Sequence, residues 1–373
     1  MVGDENIIAF IIIAVCLIVA TGVFIMIRRD RFKTKNDVIT FMKNHPEKWS
    51  MTRIEDGQIT LDHNGKALFP LASTVKLIYA VAFVRAVKEG EVSLDEEVPS
   101  HAVDLFYYEH TDGGAHKRWK DEEKIKAVVS IKQIAKGMMT YSSNACTEYM
   151  HERLGVARLN AVLHEYHLND HTPLLPLSLF LIPSYLHIEE KLSTKQIRKR
   201  INEMSSDELR TLAIDLHDKA KSNEVETIFP HLGVIADRSI QREISAKLPA
   251  STSSNYARFI DFLGSSDHLS SKEKELLDDI MGTLESRHDS YRFWYKGGST
   301  QFILTSTVYR QRSQKSVAFS FFIYDQEGLD ILWLNRVYRE FLTSFMEDET
   351  FRDQVIKEVP SAPIVQSPSR TND

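Results

Sequence analysis

The chain has 373 residues, 43% hydrophobic and 26% charged, with a formal net charge of -6. That is the composition of a globular protein able to bury a sizeable core, as one large domain or two modest ones. With no basic excess, nucleic acid is excluded as the expected partner. Cys16 and Cys146 are not expected to pair, and two cysteines leave the compartment open.

Residues 7–27 (IIAFIIIAVCLIVATGVFIMI) carry no charge and are long enough to cross a ~30 Å hydrocarbon layer as a helix. Their acidic start (Asp4, Glu5) and the lack of a small-residue cleavage site distinguish an anchor from a cleaved signal peptide. Arg28, Arg29, Arg31, Lys33 and Lys35 follow, and by the positive-inside tendency they place what comes next in the cytoplasm. The organisation expected is an anchor at 1–28, a linker at 29–48 that includes a helix (NDVITFMKNH), a folded domain at 49–347 and a tail at 348–373, with 360–373 polar and disordered.

Within the domain, WSMTRIEDGQITLDHNG alternates around Asp56-Gly57 and stops at Asn64-Gly65, the signature of a hairpin. Helices are expected at 74–89, closed by Gly90, at 131–154, closed by Gly155, and at 157–167. A charged block at 188–225 has serine and threonine caps and a composition unlike its flanks, so about 183–247 reads as a helical insertion. Aromatic and β-branched residues near the end predict three strands, split at Gly297-Gly298 and at 311–315, then a helix at 330–346. No internal repeat is present. The fold class expected is α+β: an antiparallel sheet built from both chain ends with an all-helical region threaded between them.

The segment FPLASTVKLIYAVAFVRAVKEG places Ser73 and Lys76 three apart at the start of an apolar helix. Positions three apart share a helix face. A lysine desolvated by apolar neighbours has a lowered pKa and can take a proton from a serine hydroxyl. Free N–H groups at a helix start suit an oxyanion. The plainer reading is an N-cap serine with a lysine reaching to solvent, and SxxK does recur at Ser271 and Lys274.

Two further motifs keep it company. MTYSSNACTEYM holds Ser142 and Asn144, and WYKGGSTQF holds Lys296 before Gly297-Gly298. Short copies of these also recur, SSN at 253–255 and KxG at 88–90. One ordered set alone has all three in fitting settings.

That set resembles the class A β-lactamase and penicillin-binding protein family of active-site serine hydrolases: SxxK, SxN, then KTG on a strand. The likeness takes in FPLASTVKL with VKEGEVSLDEEV, the helix after SxN ending at RLG, STSSNYARFIDFL and the C-terminal helix, over roughly 49–346. The resemblance implies Ser73 as acylated nucleophile and Lys76 as its base or proton relay. It implies Ser142 as proton shuttle to the leaving nitrogen, and Asn144 as holder of the substrate amide. Lys296 would anchor the substrate carboxylate with the hydroxyls of Ser299 and Thr300. The backbone N–H groups of Ser73 and Ser299 would form the oxyanion hole, and Gly297 and Gly298 would let the substrate lie along the strand edge.

The chain also departs from the pattern. It has Lys-Gly-Gly where the family has KTG, and Ser-Ser-Asn where the lactamases have SDN. The lactamases carry a deacylating glutamate in an ExxLN loop, whereas the corresponding NDHTPLLPLSLFLIPSY offers only Asp170; Glu189 or Glu190 in the insertion are the remaining candidates. The resemblance thus implies acylation without rapid hydrolysis.

HEYHLND with His171 gathers His164, Glu165, His167, Asp170 and His171. Zinc is one reading, but HExxH spacing is missing and a solvated, histidine-rich helix end explains the run as well. No metal or other cofactor is expected. Phe106, Tyr107, Tyr108 and Trp119 either border the cleft or pack in a loop.

Three functions follow: a membrane-anchored serine hydrolase of the β-lactamase kind, a DD-peptidase-like enzyme of peptidoglycan, or a non-catalytic binder of β-lactams or wall fragments. A binder has no need of the serine and both lysines. The expected partners are a β-lactam or peptidoglycan-like substrate and, through the N-terminal helix, the membrane; the oligomeric state is not legible. Substrates of the family lie outside the cytoplasmic membrane, against the basic cluster, and the expectation adopted is a single-pass protein with its domain on the outer face.

Overall fold

The computed structural model describes residues 12, 15–16, 30–109, 111–225, 228–282 and 291–359. The expected span at 7–27 lies almost wholly outside the described residues, and the expected disordered end at 360–373 lies entirely outside them. Among the described residues no helix is long and apolar enough to cross a membrane.

The chain divides into two units. The smaller, described over 30–46 and 329–359, consists of the helices Lys35–Asn44, Ile331–Glu347 and Glu349–Glu358. Phe41 meets the Trp333 ring edge-on, and Phe341 meets Phe351 in the same way.

The larger unit is built on a five-stranded antiparallel sheet. Its strands are β1 (Trp49–Glu55), β2 (Gln58–His63), β3 (Tyr291–Ser299), β4 (Ile303–Arg312) and β5 (Lys315–Tyr324), in the order β2-β1-β5-β4-β3. Both ends of the unit's sequence therefore meet in one sheet, as expected. Asp56 and Gly57 both have positive φ, 47° and 78°, the backbone that a two-residue hairpin turn requires. The strand split expected at Gly297-Gly298 is corrected: β3 runs through both glycines to Ser299, and the turn falls at 300–302. These glycines serve close approach rather than turning, as the site makes plain below.

The helical region surrounds α1 (Lys76–Lys88), which is buried at every position from Lys76 to Val84. A helix apolar all round belongs in a core. The single helix expected over 131–154 is also corrected. It is α2 (Ile131–Lys136), one π turn at Gly137–Tyr141, then a break before α3 (Asn144–Glu165), which is kinked at Gly155 (φ 76°, ψ 149°), where closure is expected. Ser142 stands at the break with φ 67° and ψ 26°, and Ser143 caps α3 by accepting from Cys146 N at 3.1 Å. Without glycine or proline at the break, its sequence reads as uninterrupted helix.

The insertion forms α4 (Ile182–Ile188), α5 (Thr194–Glu203), α6 (Ser206–Lys221) and α7 (Arg238–Ala246). Ser193 makes a capping box with Gln196, and Ser205 caps α6. The insertion is latched to α3 by charge. Buried Glu148 accepts from Leu177 N at 2.5 Å, Ser178 N at 2.9 Å, Ser178 Oγ at 2.6 Å and His217 Nδ1 at 2.8 Å. Burial alone would raise the Glu148 pKa, but His217 and these donors hold it below the usual range. Burial likewise opposes charge on His217, yet Glu148 and Glu152 keep its pKa raised.

The latch therefore has a pH window. The His217 contribution is complete below its ordinary pKa of about 6.5 and is lost as pH rises through its raised native value. The Glu148 contribution is complete above about 4.5 and is lost as pH falls. We expect His217→Ala, which strands a buried carboxylate, to cost roughly 3–5 kcal/mol in urea unfolding at pH 6. An effect no larger than that of an exposed-site variant would contradict the latch.

Candidate active site

Ser73 lies in a 3-10 turn, Ala72–Val75, just ahead of α1. Ala72 has φ 44°, an unfavourable backbone for a residue with a Cβ. The turn is held by the sheet: Thr305 Oγ1 on β4 donates to Leu71 O at 2.8 Å and pairs with Thr74 Oγ1 at 2.8 Å. A Cβ at Gly298 would stand 2.6 Å from both Leu71 O and Ser73 N. Only glycine lets the β3 edge come this close to the serine backbone.

Gly298→Ala sets strand backbone against turn backbone, with no flexible side chain to yield. We expect it to lower the melting temperature and to cut acylation at Ser73 about 100-fold. A stable variant with unchanged acylation would show that the turn and the strand are not held together in this way.

Lys76 and Lys296 converge on Ser142. Lys76 Nζ donates to Ser142 O at 2.7 Å, Asn144 Oδ1 at 3.0 Å and Ser142 Oγ at 3.3 Å, while Lys296 Nζ donates to Ser142 Oγ at 2.9 Å. The two lysines are only 1% and 3% exposed. Burial, then the charge of Lys296, hold the Lys76 amine well below the lysine range, and Asp112 pulls weakly the other way. Burial alone lowers Lys296 to about 7. Among the described residues, no carboxylate makes a hydrogen bond or ion pair with either amine. An anion entering here meets positive charge in a low-dielectric setting.

No hydrogen bond joins Lys76 Nζ to the Ser73 hydroxyl. Ser73 sits in the tighter turn rather than on the α-helix, and the buried amine takes the oxygen acceptors that the broken helix at 142–144 presents.

Residues that the sequence reading missed hold that break in place. Asn144 Nδ2 donates to Thr111 O at 3.1 Å and Asn144 N to Asp112 Oδ2 at 3.4 Å. Asp112 also accepts from the backbone N–H groups of Gly114, Ala115 and His116, at the start of the helix Ala115–Glu122. His116 Nδ1 lies 2.9 Å from Ser143 Oγ and its Nε2 lies 2.9 Å from Asp104. Segment 104–116 thus grips both Ser143 and Asn144. The one legible signal was Asp-Gly-Gly before a helix, a capping pattern.

Of the expected substrate-side groups, Ser299 is exposed and makes no side-chain hydrogen bond among the described residues. The Thr300 oxygen has partners within the fold. It accepts from Phe302 N and Ile303 N, each at 3.1 Å, and from Ser245 Oγ of α7 at 3.1 Å. It shapes the β3–β4 turn. The Asn144 amide is likewise engaged at both ends, by Lys76 and by Thr111.

The aromatic patch is mostly interior. Phe106 stacks on His217 at 5.1 Å, Tyr108 OH bonds Ser178 at 2.8 Å, and Trp119 fills the space where a Gly137 side chain would stand. Tyr107 alone is half-buried, stacked on His116. The HEYHLND residues part company. Glu165 pairs with Arg85 and His268, while His171 is half-buried against Tyr256, its pKa pushed down to about 4 by burial. Among the described residues no group of three His, Cys, Asp or Glu is placed to hold a metal. Asp170, Glu189 and Glu190 are exposed. The second SxxK is structural: it opens the helix Ser271–Met281, which Ser270 caps, and Lys274 donates to the carbonyls of Gly264 and Ser266.

The sequence profile of the beta-lactamase enzyme family matches residues 33–288, from before Ser73 to beyond Asn144 and short of Lys296. Among solved structures, PBP-A is similar at 16% identity over 81% of this chain and 94% of its own, with a TM-score of 0.47. An ancestral class A beta-lactamase is similar at 14% identity over 84% of this chain and 100% of its own, with a TM-score of 0.49. A beta-lactamase from Chitinophaga pinensis is similar at 11% identity, over 79% and 94%, with a TM-score of 0.49. No curated protein sequence matches the chain.

Proposed function

The chain belongs to the beta-lactamase enzyme family, and we propose that this protein is a membrane-anchored acyl-serine enzyme that captures β-lactams or related carboxylate-bearing acyl and peptide substrates and releases them slowly. The observation that carries the reading is the meeting of Lys76 and Lys296 on Ser142 Oγ, beside the turn that holds Ser73, with no carboxylate among the described residues bonded to either amine.

In the proposed reaction Lys296 and Ser299 hold the substrate carboxylate. Neutral Lys76 takes the Ser73 proton through Ser142, the serine oxygen bonds the carbonyl carbon, and charge builds on the carbonyl oxygen near the N–H groups of Ser73 and Ser299. The C–N bond then breaks, and Ser142 passes the proton to the nitrogen. Hydrolysis of the ester needs a base for water. The carboxylate nearest in sequence to Asn144 along α3, Glu148, is tied down by four donors and the His217 charge.

The residues 7–27 would hold the enzyme in the membrane, with its domain on the outer face where such substrates occur. A chromogenic β-lactam tests the slow-release reading. One equivalent per chain should react in a burst, followed by a far slower phase. Sustained turnover with no accumulated acyl-enzyme would replace this reading with that of an efficient lactamase; a DD-peptidase-like enzyme would give the same burst and would also cleave a D-alanyl-D-alanine peptide.

A further inference from the structure

The smaller unit shows apolar residues to solvent at one end of its longest helix. Leu332 is 78% exposed, Phe32 70% and Leu329 58%. These residues are drawn together by specific contacts. Arg336, one turn after Leu332, donates to the carbonyls of Asp30 and Lys33, on either side of Phe32. The Lys33 ammonium lies 4.1 Å from the Trp333 ring centre. Phe32 is therefore held beside the start of the helix Ile331–Glu347, where Leu332 and Trp333 stand.

Sequence position adds a second constraint. Four residues, 28–31, separate position 27, the end of the apolar run, from Phe32, five Cα-to-Cα steps in all. Even fully extended, that stretch reaches no more than about 17 Å. Arg28, Arg29 and Arg31 lie within it. Basic residues beside exposed Phe and Leu suit the boundary between anionic headgroups and acyl chains.

We propose that this end of the smaller unit rests in the interface of the bilayer that carries the span, with Phe32, Leu329 and Leu332 at the acyl boundary. The inference rests on the anchor proposed above. A short tether between hydrocarbon and patch makes lipid, rather than a diffusing protein, the occupant that is always present.

The test uses the full chain with Cys16→Ala, leaving buried Cys146, reconstituted in phosphatidylcholine–phosphatidylglycerol vesicles. An environment-sensitive fluorophore is placed at Leu332→Cys or, as an aqueous control, at Glu190→Cys. We expect the chain to float with the vesicles and the label at 332 to lose roughly half its emission to lipid-borne nitroxide while resisting iodide; the control should show the opposite. In a further chain with Leu329→Cys as the labelled site, Phe32→Ser with Leu332→Ser should abolish lipid quenching while flotation persists. A floating chain whose label at 332 is quenched by iodide like the control overturns the proposal, as does one shielded from both quenchers, which would mean a protein contact. A chain that fails to float overturns the anchor itself.

Discussion

Lys76→Met slows acylation of Ser73 by a β-lactam about 10²–10⁴-fold, the scale of losing a positioned general base, and leaves the chain folded. Methionine keeps the volume of the lysine stem but leaves Ser142 O and Asn144 Oδ1 without their donor, so a loss of rate has a chemical and a structural part. The pH profile separates the two. In the native enzyme Lys76 must be neutral, so acylation climbs with pH through its depressed pKa; Lys296 must be charged, so acylation falls again above about 7. The product is a bell, with Lys76 setting its rise and Lys296 its fall. Lys76→Met should keep the alkaline limb and lose the acid one. A rate within a few-fold of the native value would remove Lys76 from the proton path.

Lys296→Ala carries the second large effect, and it depends on the substrate. For a penicillin with a free carboxylate, acylation at low drug concentration should drop about 100-fold, as expected for a charge-assisted contact in a buried site. For the corresponding methyl ester, native and variant chains should differ little, because no carboxylate is present to anchor. The alkaline limb should vanish with the lysine. Equal losses for acid and ester would assign Lys296 to positioning Ser142 instead, through their 2.9 Å contact.

How much of this was legible in the sequence depends on the reach of each signal. The Asp56-Gly57 hairpin, the apolar helix after Ser73 and the capped helices of the insertion are local patterns, and all are found. The meeting of both chain ends in one sheet followed from the order of elements. Gly297-Gly298 was misread as a turn because glycine in a strand and glycine in a turn look alike. Its meaning appears only once Ser73 N stands where a Cβ would be.

The helix break at Ser142 was hidden for a related reason. Nothing local demands it; the buried Lys76 amine, Asn144 gripped from 104–116, and the Ser143 cap together hold it. Partners so distant in sequence leave no periodicity. The same is true of Glu148 and His217, 69 residues apart, so the insertion read as a solvated addition while its docking to α3 stayed invisible. Thr300 shows the converse case. Its place after Lys-Gly-Gly-Ser suggests a ligand, and the structure adds a second task, because its oxygen also accepts from the turn and from Ser245.

In the proposed reaction Ser73 is the residue acylated. Intact-mass spectrometry of the full chain mixed with a penicillin, followed over time beside Ser73→Ala, tests it most directly. One adduct of the drug's full mass is expected, persistent over the time course, located by peptide mapping on the segment that contains Ser73 and absent from the variant. An adduct of equal yield on Ser73→Ala, or one mapped to another residue, would contradict it.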